Sequence, residues 1–281
     1  MSSCRNGTGA VDIQTLLSVK TGGVLAALLL FGLWERVRPA DPRPLLLRAG
    51  HAGRAAWQRL GRHAALVTVN AAAGPLIVLP VTWWAAGFDL GLRPAWSGWP
   101  LDILVLDLWI YAWHRANHEV PFLWRFHQVH HLDELLDTTS AFRFHVGEVV
   151  LSALVRALVV ILFGMPMASV ILFETIVLVC AIFHHSDAAL PPWVERRLSR
   201  IIVTPGIHWV HHHALRRDTD SNYGTLFSFW DRIFGSRSAT RRFSGMKLGV
   251  ERMRERPLLR LLMAPFGSQG QANPAPRSDR Q

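Results

Sequence analysis

The residues best placed to do chemistry are histidines. The 281-residue chain has 14 of them, and all but His51 and His63 lie between His114 and His213. Imidazole suits iron, copper, zinc and nickel, whereas magnesium, calcium and manganese prefer oxygen ligands. Spacing adds to the case. His114 and His118 stand at i and i+4 in HRANH; His127, His130 and His131 stand at i, i+3 and i+4 in HQVHH; His208, His211 and His212 repeat that pattern in HWVHH. On a helix such positions share one face, one turn apart. Each segment can then offer two or three nitrogens without moving its backbone. His145, in RFHVGE, and the pair His184 and His185 lie between these clusters. One tetrahedral zinc uses three or four ligands, so three such turns meeting at one place imply two metals.

Other polar residues read differently. His51 and His63 have no partner at ligand spacing and receive no role. His213 extends its cluster by one residue and points off the shared face, as a group behind the site or at the surface. Asp107, two turns before His114, would be costly in lipid. It either orients a ligand histidine or makes an interhelical hydrogen bond. Cys4 and Cys180 are the only cysteines, too few for a disulfide framework or a cysteine zinc site.

These histidines must be positioned by membrane helices. Half of the chain is hydrophobic and 18% is charged, below the roughly 25% of an average soluble domain. Twelve Trp against two Tyr fit bilayer interfaces. Apolar runs approach the ~20 residues that span a bilayer at 11–34, 65–86, 101–113, 149–163 and 167–183, the third being short and carrying Asp102 and Asp107. The sequence thus predicts an all-α integral membrane bundle of four or five membrane helices. A helical cytoplasmic cap carries the histidine-rich dimetal site. The first run, followed by ERVR, reads as a retained membrane helix rather than a cleaved signal.

Charge orients the bundle. Arg36, Arg38, Arg43, Arg48, Arg54, Arg59 and Arg62 lie between the first two runs, and only Arg93 between the second and third. The positive-inside rule places the first loop, and with it every histidine cluster, on the cytoplasmic side. The net charge of +10 is read as arginine beside anionic lipid, with no nucleic acid partner. Three regions are expected: N-terminal membrane helices and basic loop (1–98), a catalytic domain (99–262) and a disordered tail (263–281).

At this point the chain resembles the fatty acid hydroxylase superfamily, or sterol desaturase family, of membrane di-iron enzymes. The matching stretches are DLWIYAWHRANH (107–118), LWRFHQVHH (123–131), TSAFRFHVGE (139–148), HSDAALP (185–191) and TPGIHWVHHH with DSNYGTLFSFWDRIFGS (204–236). The resemblance implies that His114, His118, His127, His130, His131, His208, His211 and His212 are metal ligands, joined by His145 and His185. Asp107, His184, Asp187 and Asn222 would support them, Asn222 with Tyr223 and Gly224 by shaping the cap. Val146 stands where the family usually has Pro, Asp187 where Asn is usual, and His184 where Gln is common.

The resemblance further implies two iron ions cycling between Fe2+ and Fe3+, with zinc as a possible substitute. O2 and a separate reductase or redox carrier would complete the reaction, because no flavin, nicotinamide, haem or cysteine-cluster motif is present. The substrate would be a lipid, hydroxylated or desaturated at an unactivated C–H position. Two other readings stay open: a zinc-dependent membrane lipid hydrolase, with Glu134 or Glu148 as base, and a non-enzymatic metal carrier.

Overall fold

The computed structural model describes residues 12–41, 54–94 and 97–267. His51 and the polar stretch beyond residue 267 lie outside the described residues. The long elements are α1 (Ile13–Val37), α2 (Arg54–Ala73), α3 (Leu79–Ala85), α4 (Trp99–Glu119), α5 (Pro121–His131), α6 (Val146–Phe163) and α7 (Met167–His185). Short helices follow: α8 (Pro192–Leu198), α9 (Pro205–His211), α10 (Arg216–Thr219), α11 (Phe229–Ile233) and α12 (Leu258–Leu262). Among the described residues the only β-pairing is in isolated bridges.

The chain is a multi-pass membrane protein with four candidate spans: Ile13–Val37, Arg54–Ala85, Val146–Phe163 and Met167–His185. The second joins α2 to α3 through a π turn at Gly74–Val78. Pro75 explains the turn, since its ring has no N–H and clashes with the preceding turn of an ordinary helix. α6 ends on Gly164 in the left-handed region at φ 57°. That glycine cap and Pro166 reverse the chain directly into α7.

α4 corresponds to the expected third membrane helix but is not among the four candidate spans, because Asp102, Asp107, His114, Arg115, His118 and Glu119 make it too polar. It nevertheless runs the length of the bundle. Near its start Asp102 accepts from Ser169 at 2.6 Å, at the beginning of α7, and from Arg93 at 2.8 Å; near its end stand His114 and His118. A core of Ile103, Leu106, Ala157, Val160, Val170 and Phe173 packs it against α6 and α7.

The second span begins at Arg54 rather than at Ala65, since its polar residues find partners inside the protein. Arg59, expected in a lipid-facing loop, is buried. It grips Asp133 through two bonds of 2.8 and 2.7 Å and reaches Asp137 at 2.7 Å. Arg143 likewise holds Glu255 at 2.6 and 2.9 Å and donates to the Val129 carbonyl at 2.8 Å. Together they fix the loop after α5. From the other side Glu35 of α1, buried, accepts from Thr138 N, Thr138 Oγ1 and Asp187 N at 3.1 to 3.2 Å. The packed chain runs past the expected start of the tail, with Ala264 and Leu261 buried against Leu66, Trp124 and Val129.

Candidate metal centre

α4, α5, α7 and α9 bring nine histidines together where their ends meet. They fall into two groups whose candidate ligand atoms lie within 4.8 Å of one another: His114, His118, His127, His131 and His211 in one, His130, His185, His208 and His212 in the other. All nine are buried. Each HxxHH segment is divided between the groups, and the division is reversed. From α5, His127 and His131 enter the first group and His130 the second; from α9 and its cap, His208 and His212 enter the second and His211 the first.

Backbone and carboxylate groups aim the rings. Nδ1 of His114 lies 2.8 Å from the Tyr223 carbonyl, that of His211 2.7 Å from Ser221 O, and that of His185 2.7 Å from Ala181 O. His130 Nδ1 meets Arg143 O at 3.2 Å, and His127 Nδ1 meets Glu148 Oε1 at 2.8 Å. A proton on each Nδ1 satisfies that contact and leaves the Nε2 lone pair free for a metal, the outer arrangement common to histidine metal sites.

Inside the site, Nε2 atoms face one another. His127 and His131 are 3.2 Å apart, His130 and His185 3.1 Å, His185 and His208 3.0 Å, and His208 and His212 3.1 Å. Bare lone pairs at such distances repel. Nitrogens about 2.1 Å from a shared ion are separated by roughly 3.0–3.4 Å, so the spacing fits ligation. His118 Nε2 and His211 Nε2, both buried, have no hydrogen-bond partner, as expected of atoms reserved for an ion. Burial, then neighbouring histidines, hold His130, His131, His208 and His212 well below the usual imidazole range. Burial lowers His211 to about 3. All five are neutral at physiological pH, the state a ligand requires.

His145 is not brought into either group. Its Nδ1 accepts from Gly147 N at 2.9 Å, capping α6, and its Nε2 lies 3.0 Å from Leu262 O. His145, expected as a tenth ligand, thus stands outside the two groups with both ring nitrogens engaged. His184 packs against His208 with ring centroids 3.9 Å apart and the rings tilted by 56°, and neither of its nitrogens has a hydrogen-bond partner. Asp187 pairs with Arg242 and accepts from Asp41 N at 3.3 Å, behind the site rather than on a ring. His213 pairs with Asp218 at 2.8 Å, away from both groups. His63 contacts Thr139 at 2.9 Å and Arg143 at 3.2 Å, inside the buried network after α5.

Asp107 acts through a loop. It accepts from Leu226 N and Phe227 N, each at 3.1 Å, and from Trp230 Nε1 at 2.8 Å. Asp231 in turn accepts from Tyr223 N and Gly224 N at 2.8 and 2.9 Å. Asn222 sits between the two carbonyls that hold His211 and His114, in the left-handed region at φ 54°, where Asn is tolerated better than most residues. SNYG and FWDR are therefore one device for presenting two carbonyls. Sequence reasoning missed Glu148 as the partner of His127, although it stands in the same RFHVGE stretch. It also missed the Ser221, Arg143 and Ala181 carbonyls, which no side-chain pattern reveals.

One cavity of about 260 Å³ opens onto this site. It lies between α4, α6 and α7 and is lined by His114, His127, His130, His184, His185 and His208 with apolar Ile110, Phe144, Val149, Val177 and Leu178.

A helical membrane bundle holding two all-imidazole groups beside an apolar cavity defines a class, the histidine-rich membrane metalloproteins. Within that class residues 99–236 match the fatty acid hydroxylase family. The chain is 25% identical to the ornithine lipid hydroxylase OlsE of Rhizobium tropici, over 60% of this chain and 50% of that one. It is 31% identical to alkylglycerol monooxygenase of Danio rerio, over 53% and 32%, and 27% identical to human cholesterol 25-hydroxylase, over 48% of each. The chain thus spans from a third to a half of the length of these relatives. No solved structure matches it.

Proposed function

We propose that the protein is a membrane-bound di-iron oxygenase that hydroxylates or desaturates a lipid at an unactivated C–H position. The observation that carries this reading is the pair of buried imidazole groups, four of their rings aimed by backbone carbonyls, facing a largely apolar cavity between membrane helices. The names of the relatives, all of which oxidise lipids, support it. Two irons held by the nine histidines would supply, with O2, two electrons and two protons, the conversion of a C–H bond to an alcohol and water.

The chain's own residues do the rest. The histidines and the carbonyls behind them fix the ion positions before any substrate arrives. Apolar walls exclude water and align an acyl chain or ring so that one carbon faces the ions. Electrons come from a separate reductase or redox carrier. The arginines of the first loop support an orientation with the site on the cytoplasmic face.

Metal analysis of protein purified anaerobically from iron-supplemented cells, followed by lipid turnover with a reductase, tests this. Close to two irons per chain and O2-dependent product are expected. Two zincs call for iron reconstitution before turnover, because zinc outcompetes ferrous iron at imidazole. One zinc with anaerobic hydrolysis of a lipid ester, or metal release without turnover, would overturn the reading in favour of a hydrolase or a carrier.

A further inference from the structure

The cavity that reaches the histidines also carries charge. Arg156 of α6 and Glu174 of α7 line it together with Val78, Val149 and Leu178. Arg156 Nη1 donates to Glu174 Oε1 at 2.6 Å and Arg156 Nη2 to Thr82 Oγ1 at 3.1 Å; Lys20 Nζ donates to Glu174 Oε2 at 2.6 Å. All four residues belong to candidate membrane spans. Glu174 and His185 lie on the same helix, about 16 Å apart at 1.5 Å per residue.

Ionisable groups at such depth are costly and mark substrate or ion paths more often than they serve as glue. Helices associate at lower cost through small or apolar residues. The cluster here has two cations for one carboxylate, which leaves it short of negative charge. A guanidinium has five N–H donors, and its bonds to Glu174 and Thr82 leave donors for a guest in the cavity. Nothing about an all-hydrocarbon guest would use them.

We infer that Arg156 and Glu174 recognise an oxygen-bearing end group of the substrate, a hydroxyl or carboxylate, roughly 16 Å from the carbon presented to the histidines. This rests on the oxygenase reading of the same cavity. The substrate then lies with its polar end group deep in the bundle, its remote end at the metals. Arg156 donates to the oxygen, and Glu174 accepts the proton of a hydroxyl. Length is measured from the polar end, so the pair sets which carbon is attacked.

The test uses the metal-loaded full chain in lipid nanodiscs with dodecanol, dodecanoate and dodecane as probes, reading both equilibrium binding and oxidised product. The alcohol or the acid should bind about tenfold or more tighter than the hydrocarbon, and the better of the two names the end group. The double variant R156M/E174L, made together with Lys20→Met so that no cation is stranded, removes all three charges and should bind all three probes alike. Equal binding in the native chain, or a preference that survives the combined variant, overturns the inference. Should that variant fail to insert, Arg156→Lys keeps the cation but loses the fork, and an unchanged preference there overturns it equally. Binding preference without any turnover would instead strike the oxygenase reading, and turnover without preference would strike only this one.

Discussion

At the scale of single residues, the assignments separate by what each ring nitrogen touches. His130→Ala and His211→Ala should each lower bound metal and abolish turnover while the protein still inserts, checked by elemental analysis of membrane-extracted protein. His145→Ala should keep its metal and lose about 1 kcal/mol with the cap of α6, measured as a shift in thermal midpoint; metal loss would restore it to the ligand set. Glu148→Gln should weaken metal affinity by about 10–100-fold, the usual effect of removing the carboxylate behind a ligand histidine, and competition with a chelator reads it. Eight of the nine converging histidines stand at i, i+3 and i+4 spacing, whereas His185 was suggested only by the family resemblance. His145 was not separable from them, because a sequence shows that an imidazole is present but not that Gly147 N and Leu262 O already occupy it.

At the scale of elements, the membrane helices were legible from hydropathy and the loops that aim the ligands were not. The start of the second span was misplaced because Arg59 and His63 look like loop residues until Asp133, Asp137 and Thr139 are seen opposite them. The role of Asp107 was narrowed to two possibilities and turned out to be the anchoring of residues 226–230, a contact over a separation no local pattern spans. Asp107→Asn should therefore cost about 1–3 kcal/mol by leaving buried donors unpaired and reduce metal retention through the Tyr223 carbonyl. Unchanged metal content after mild chelation would show that the loop is held otherwise. The Asp137 carboxylate feels burial, which raises it, but Arg59 outweighs this and holds it below its usual 3.8. Its contribution is thus present above pH 3.8 and lost as pH falls further, where the unfolded chain binds the proton more readily.

At the scale of the whole molecule, the histidine site and the membrane bundle are one structure. α1 reaches the loops of the site through Glu35, α2 through Arg59, and the C-terminal segment through Glu255. Arg59→Met should cost about 3–5 kcal/mol, since it strands two buried carboxylates, and should appear as lost expression or a lowered unfolding midpoint. The reversed sharing of α5 and α9 between the two histidine groups has a consequence for assembly. Neither group can be completed without fixing both helices, so the first ion to enter settles most of the geometry that the second requires. Metal uptake by the empty protein should then be cooperative, passing from none to two with little of the singly loaded form, and two sites that appear separate would behave in titration as one.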